Sequence, residues 1–296
     1  MSSPLTLAVP VYNCARFLPA TLESLNSQGD AVRWWLQDGA STDDTAAIAR
    51  KLARPGDTVM SEPDSGQPDA LNRAMTQMGG EIIGFLNGDD LLAPGAARRV
   101  LDFFAAHPDI DLVYGSVEWI DAEGHVTGRH AGRIASSEEV LDIYGVWWKE
   151  RQWVQPEVFY RRALWEKVGG FDTAYDLAFD YDFWVRCFLA GARVAHLPEV
   201  LCRFRLHAQQ KSSAAERAAD EIRAIVRRHL PTARTSLMRR WSIEAQLCYD
   251  LYQGGKSPAS GGHFFTEFLR HPHWLFSPWA RSRAWAAMGR RMKAKG

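Results

Sequence analysis

Short apolar runs alternate with stretches of helical period through the N-terminal part of the chain. Leu5-Thr6-Leu7-Ala8-Val9 predicts a first strand, closed by Pro10, and an amphipathic helix follows across roughly residues 16–27. Residues 32–37 predict a second strand, and Thr42-Asp43-Asp44 opens a second helix that reaches about Ala53. Residues 58–61 form a third strand, followed by the loop Glu62-Pro63-Asp64-Ser65-Gly66 and a helix over about residues 68–78 that Gly79-Gly80 stops. Glu81-Ile82-Ile83-Gly84-Phe85-Leu86 is too apolar for a half-exposed strand and reads as a buried one running to Asp89, with Pro94 in the first turn of the next helix. Strand and helix alternate four times with short connections, which predicts a parallel, doubly wound α/β sheet.

Further along the pattern loosens. Residues 111–121 and 126–130, joined by Ala122-Glu123-Gly124-His125, read as a hairpin; residues 154–161 are a strand candidate and residues 180–190 a helix. Residues 193–206 hold one or two strands split near Pro198, and from Ala214 the chain reads as helices broken at Pro231, Gly254-Gly255 and Gly261-Gly262. A boundary is expected near Ser212, dividing an α/β domain over residues 1–212 from a helical extension over residues 213–296. No internal repeat is evident.

Composition narrows the classes. Hydrophobic residues at 46% and charged residues at 24% are ordinary for a globular protein, and a formal charge of zero offers no global field for nucleic acid. Cys14, Cys187, Cys202 and Cys248 form no C-x-x-C pair, so neither a zinc cluster nor a disulfide framework is indicated. No secretory signal is read before the first strand, and no run of about eighteen apolar residues offers a membrane span. A reducing cytoplasm is the expected setting. The neutral total hides one asymmetry: residues 263–296 carry seven Arg or Lys against the single acid Glu267, together with Trp274, Trp279 and Trp285.

If the first four strands are parallel, Asp38, Asp64 and Asp89 all leave the sheet at one edge, the edge at which α/β sheets bind ligands. Asp89 and Asp90 are adjacent, and two like charges at a strand exit call for a cation or solvent to relieve them. Oxygen ligands there suit a hard divalent metal on a diphosphate; the plainer alternative is an acidic turn with a helix N-cap. No G-x-G-x-x-G follows strand one and no G-x-x-x-x-G-K-S/T occurs, which disfavours dinucleotide oxidoreductases and P-loop phosphotransferases.

Seven ordered motifs carry a family resemblance. Pro10-Val11-Tyr12-Asn13, Asp38-Gly39-Ala40-Ser41-Thr42-Asp43-Asp44-Thr45, Glu62-Pro63-Asp64-Ser65-Gly66 with Ala70-Leu71-Asn72, and Asn87-Gly88-Asp89-Asp90 come first. Gly169-Gly170-Phe171-Asp172, Asp180-Tyr181-Asp182-Phe183-Trp184-Val185-Arg186 and Arg205-Leu206-His207 follow. Over roughly residues 5–212 the chain resembles the family 2 glycosyltransferases. The resemblance implies the GT-A fold, a Rossmann-like, mixed and mainly parallel sheet flanked by helices. It also implies transfer of a sugar from a nucleotide-sugar with inversion, aided by a divalent cation, Mn²⁺ or Mg²⁺.

Carried over by position, the resemblance makes Asp38 the acid that accepts a hydrogen bond from the nucleobase, typically uracil; the alternative is an Asx turn. Pro10, Tyr12 and Asn13 line base and ribose, with Asp64 closing the other side. Asp89 holds the metal on the diphosphate, Asp90 is its supporting neighbour, and Asn87 stands where many relatives carry Asp. His207 is the second metal ligand, and an imidazole tilts the preference toward Mn²⁺. Arg205 and Lys211 offer positive charge to the departing diphosphate. Asp180 aligns with the general base, or else is only a helix N-cap; Asp182 caps or pairs locally, and Phe179 replaces a common Glu. Trp147, Trp148, Trp153 and Gln155 frame the acceptor or belong to the core.

The acceptor is expected to be a saccharide or a lipid-linked sugar. The aromatic and basic tail suits contact with the inner-membrane surface, or else packs as a helical cap. Two rival functions are a nucleotidyltransferase, which should carry a glycine-rich basic loop after strand one, and a catalytically silent sugar-nucleotide binding or scaffold subunit.

Overall fold

The computed structural model describes residues 4–208, 210–211, 215–253 and 260–293. They divide into two compact units, one of Met1–Ala135 with Glu150–Ile222, the other of Ser136–Lys149 with Arg223–Gly296. The expected boundary residue Ser212 lies outside the described residues.

The first unit follows the predicted alternation: β1 (Leu5–Val11), α1 (Leu18–Asn26), β2 (Val32–Asp38), α2 (Thr45–Leu52), β3 (Thr58–Ser61), α3 (Gln67–Gln77) and β4 (Ile82–Phe85). Then come β5 (Leu91–Leu92), α4 (Ala96–Ala106), β6 (Leu112–Ile120) and β7 (Val126–His130). The chain passes through α5 (Ser137–Leu141) of the second unit and returns as β8 (Val158–Arg161), α6 (Arg162–Val168), α7 (Phe179–Leu189) and β9 (Val194–Arg205). The strands form one mixed sheet in the order β3-β2-β1-β4-β8-β6-β9-β5, with β7 paired to β6. The strands β1 to β4 are parallel. Because β8 is antiparallel to both β4 and β6, and β9 is parallel to β6, β6 and β9 point the same way as the first four strands.

Several boundaries differ from expectation for local reasons. β1 runs through Pro10, whose missing N–H faces the side from which β4 has departed; the last β4-side bond is Leu86 N to Ala8 O at 3.0 Å. β4 ends at Phe85, so Asn87 to Asp90 form a turn, and Pro94 lies ahead of the left-handed Gly95 that caps α4 instead of inside the helix. Pro156 holds residues 155–157 in a 3₁₀ turn, which shortens the strand expected at 154–161. β9 is one strand, but its pairing jumps from His196 opposite Tyr114 to Val200 opposite Ser116, across Pro198.

One sheet face is lined by Leu5, Leu7, Val9 and Val11 of β1 and by Val32, Trp34 and Leu36 of β2, as the period of two requires. Against it lie Leu18, Leu22 and Leu25 of α1 and Val100, Leu101 and Phe104 of α4. Each large side chain so buried contributes about 1.5–3 kcal/mol. The opposite face of β1 and β2 packs on α3.

The helix α8 (Ala215–His229) starts in the first unit and ends in the second, which also holds α9 (Leu237–Gln253), α10 (Ser260–Arg270) and α11 (Pro278–Lys293). Its core is Ala245, Phe264, Phe268, Trp274, Ala280 and Ala284, with Trp241, Tyr249 and Trp279 packed around them. The large apolar residues of the tail therefore split: Phe264 and Trp274 are interior, while Leu275, Phe276 and Trp285 are exposed. No helix among the described residues is long and apolar enough to cross a membrane. Cys14, Cys187, Cys202 and Cys248 are free.

Candidate active site

The shared direction of β1–β4, β6 and β9 sets the predicted acids at one edge. Asp38 is the last residue of β2, Asp64 follows β3, Asp89 and Asp90 turn out of β4, and Arg205 and His207 leave β9. Side chains from neighbouring exits meet in two clusters, one at β2 and β3 and one at β4 and β9.

At the β1–β2 end, Asp38 is fully buried. Its carboxylate accepts from the Ser41 hydroxyl, from Ser41 N–H at 3.2 Å, and from the Ser61 hydroxyl at 2.6 Å. It holds the two loops together, and both the Asx-type turn and the link to β3 are made by its own oxygens. Asp64 is half-buried and accepts from Gly66 N–H at 2.9 Å; its other oxygen lies where a Cβ on Gly39 would come within 2.7 Å. Gly39 therefore lets the two acidic loops close on each other. Tyr12 is 65% exposed beside them. Asn13, at φ 48°, uses its side-chain oxygen to accept from Thr42 N–H at 2.9 Å, while its own N–H donates to Ser41 Oγ at 2.8 Å. It pins loop to loop. Pro10 is buried within β1, beneath the crevice floor.

At the β4–β9 end, His207 Nε2 and Asp89 Oδ2 are 2.9 Å apart, with the imidazole 10% and the carboxylate 23% exposed. Arg205 is buried, and its guanidinium donates to Asp89 O at 2.8 Å and to Asp121 O and Ala122 O at 3.0 Å each. The Phe17 ring lies 5.0 Å from that guanidinium and 4.6 Å from the His207 ring. Arg205 is thus not the free cation for a diphosphate that the sequence suggested; its Nε and one Nη donate to three carbonyls beyond strand ends. Asp90 is buried beneath the turn, accepting from Arg205 N–H at 2.9 Å and from Asn87 Nδ2 at 3.2 Å. Burial first, then neighbouring Asp89, raise its pKa well above the carboxylate range. It props the turn and has no surface for a nucleotide. Asn87 also donates to Gln155 Oε1 at 3.3 Å and accepts from Gln67 Nε2 at 2.8 Å, so its oxygen is engaged. A Cβ on Gly88 would come 2.5 Å from Val11 Cγ1, which explains glycine there. Burial pushes the nearby Cys14 thiol up to about 12, leaving no thiolate nucleophile.

The Asp89–His207 pair suits a divalent cation. Two donors 2.9 Å apart match neighbouring ligands on one octahedral ion, about 3 Å for bonds of about 2.1 Å. No group of three such side chains gathers among the described residues, so diphosphate oxygens and water would complete the shell.

Asp180 lies in the first turn of α7, on a platform built by the other motifs. Asn72 bonds the Phe171 backbone twice at 2.9 Å, and Arg186 donates to Val168 O at 3.0 Å and Gly170 O at 2.7 Å. Asp182 is buried and pairs with Arg186 at 2.6 Å, the local pairing expected of it. Phe179 packs on Phe85 at the end of β4, and Asp176 lies against Gly66, which brings the start of α7 to the same edge. Asp180 Oδ1 accepts from Tyr181 N–H at 2.7 Å. Burial raises its pKa to about 7, with Lys211 pulling down and Glu221 pushing up.

The remaining candidates divide, and Gln155 supports the turn of Asn87. Trp153 is a core residue, 5.5 Å from Trp184 and 5.6 Å from Phe188, and Gln155 donates to Phe85 O at 2.6 Å. Trp147 belongs to the second unit, and the Trp148 side chain lies outside the described residues. Lys211 binds Asp176 at 2.6 Å. Sequence reading missed Ser41, Ser61, Phe17 and Glu221. The two serines sit in or beside the quoted motifs, but Phe17 and Glu221 act only through long-range contacts.

The family model of Glycosyl transferase family 2 matches residues 6–169. A PGL/p-HBAD biosynthesis glycosyltransferase of Mycobacterium bovis is 32% identical over 208 residues, covering 68% of this chain and 76% of the relative. Among solved structures, S. aureus TarS 1–349 in complex with UDP-GlcNAc aligns at TM-score 0.64 and 16% identity, over 96% of this chain and 89% of that one. The present chain spans about half of the longer TarS, 54%. A mannosyltransferase of Pyrobaculum calidifontis, in complex with GDP-Man and Mn²⁺, aligns at TM-score 0.55 and 22% identity over 99% and 76%. The sheet, its converging exits and the sequence match agree: this chain belongs to glycosyl transferase family 2 and has the GT-A fold.

Proposed function

We propose that the chain is an inverting, cation-dependent glycosyltransferase. It moves a sugar from a nucleotide-sugar, UDP-linked first, to a saccharide or lipid-linked acceptor in cell-surface polysaccharide or glycolipid synthesis. The observation that carries this reading is the Asp89–His207 pair on the edge shared with Asp180, an acid whose burial holds its pKa near neutrality. The UDP-GlcNAc held by TarS supports the donor class, and the PGL/p-HBAD biosynthesis named for the mycobacterial relative supports a role in glycan assembly.

Asp64 and Tyr12 border the base and ribose, with Asp38 as the base-contacting acid once Ser41 or Ser61 yields an oxygen. Asn13 and Pro10 hold that wall in place. Asp89 and His207 hold the cation, Mn²⁺ by the nitrogen ligand, and Asp90 with Arg205 keeps their turn in position. When bound, the cation neutralises the charge that develops on the leaving diphosphate. Asp180 Oδ1 is engaged by Tyr181 N–H, so Oδ2 takes the proton of the acceptor hydroxyl. As that proton leaves, the acceptor oxygen bonds to the anomeric carbon opposite the breaking bond to phosphate, and the configuration inverts. No enzyme nucleophile is required.

A silent nucleotide-binding subunit is the second reading; it would have no use for a base with a raised pKa. Peripheral contact with the inner-membrane surface is proposed through Leu275, Phe276 and Trp285, exposed among basic residues. Vesicle flotation that does not change when these three are replaced by Ser would remove that part.

A donor screen tests the whole: thermal shift and donor hydrolysis with UDP-, GDP- and dTDP-sugars, with Mn²⁺ or EDTA. A Mn²⁺-dependent shift for one donor, lost in Asp89→Ala, is expected. Binding without turnover in every condition would favour the silent subunit.

A further inference from the structure

The helix that carries Asp180 begins at Phe179, and its N-cap position is Ala178, which has no side chain able to accept from the first N–H groups. Tyr181 N–H, one of them, turns to Asp180 Oδ1, and the three N–H groups that lead into the helix share one distant carboxylate. Glu221, from α8, accepts from Asp176 N–H at 3.3 Å on one oxygen and from Leu177 and Ala178 N–H at 2.8 Å each on the other. Asp176 is held in turn by Lys211 at 2.6 Å and by Arg217 at 3.6 Å. Bonds from backbone N–H to an ionised carboxylate are among the stronger ones, and a negative charge at a helix N-terminus is favourable.

We propose that Glu221 is a positioning residue for the transfer reaction: an anchor supplied from 43–45 residues away fixes the segment 176–178 and with it the placement of the Asp180 carboxylate. The inference rests on the reading of Asp180 as the base. It places a determinant of catalysis in α8, beyond the matched residues 6–169. Glu221 also places a negative charge near Asp180, opposed by the positive charge of Lys211.

The test compares Glu221→Gln and Glu221→Ala with wild type and Asp180→Asn. The readouts are donor hydrolysis (UDP-N-acetylglucosamine, UDP-glucose or GDP-mannose, whichever the screen selects) and Mn²⁺-dependent binding of the matching diphosphate. The expected result is a fall in kcat of about 10-fold for Gln, which keeps one accepting oxygen, and about 100-fold for Ala, the scale of a misplaced catalytic group. Donor KM and diphosphate affinity stay within about twofold, because the metal and nucleotide residues are untouched. In Glu221→Gln the acid limb of the kcat profile moves to lower pH, since a negative charge near Asp180 has gone. Wild-type kcat and an unmoved pH profile in Glu221→Gln, with Asp180→Asn inactive, overturn the inference alone. A matching loss of diphosphate affinity overturns it too, since that marks general destabilisation. Full activity in Asp180→Asn removes the base reading and this inference together. If Glu221→Ala does not fold, Glu221→Gln and its pH profile decide.

Discussion

His207 Nε2 stands 2.9 Å from Asp89 Oδ2, although 118 residues separate the two in the chain. The approach is engineered two residues earlier, where Arg205 closes β9 and donates to Asp89 O, while its own N–H binds Asp90. Phe17 packs against both the guanidinium and the imidazole. A loop after β1, a turn after β4 and the end of β9 are thus joined through one buried arginine and one ring.

If this pair holds the cation, Asp89→Asn and His207→Ala should each weaken Mn²⁺-dependent diphosphate binding by about 10–100-fold, the scale seen for metal-site substitutions. Calorimetry with UDP and Mn²⁺ measures it. Unchanged affinity in both variants would move the cation elsewhere.

Asp180→Asn should lower kcat by about 10²–10⁴-fold, as loss of a general base does, with donor binding retained. The base works only when unprotonated, and burial raises its pKa to about 7. The wild-type rate should therefore climb as pH rises through about 7 and level off above it. A profile flat between about pH 5.5 and 8.5 contradicts the assignment.

Asn87 donates to Asp90 and to Gln155, and an aspartate in its place could make neither bond. It would also place an ionisable acid beside the buried Asp90 and close to Asp89. Asn87→Asp is expected to destabilise the cation-free protein by about 1–3 kcal/mol. Urea unfolding with and without Mn²⁺ reads this, and equal stability would mean that the turn relaxes freely.

Glu157 is fully buried, accepts only from Val154 N–H at 3.0 Å, and has its other oxygen without a partner among the described residues. Burial raises its pKa well above the usual value, so the folded state binds the proton more tightly than the unfolded chain, where the pKa is about 4.3. The stability tied to that proton is present below the unfolded value and is lost as pH rises through the folded one. Glu157→Gln, neutral at every pH, should match wild type in acid and gain Tm over it progressively toward alkaline pH. Parallel Tm curves would show that Glu157 does not titrate on folding.

How much of this was legible beforehand varies by residue. Strands β1, β2 and β3 and the acids at their exits follow from apolar runs and local breakers. β5 was invisible because two residues have no period, and it exists only where β9 pairs with it. Arg205 looked like a surface cation, since its type is usually exposed; three carbonyls, one after β4 and two in the turn after β6, draw it inside. Trp153 was open between core and acceptor frame, and its ring neighbours assign it to the core.

By itself the sequence determined the alternation of strands and helices, the acids that end the parallel strands, and a family resemblance that the comparisons confirmed. Those features rest on local periodicity and on motifs of a few adjacent residues. Only the tertiary structure decided that His207 meets Asp89, that Asp38 spends its oxygens on Ser41 and Ser61, and that Glu221 anchors the segment leading into the helix of Asp180. These are contacts between side chains far apart in the chain, and strand order, register and burial choose them; no local pattern encodes which distant donor will arrive.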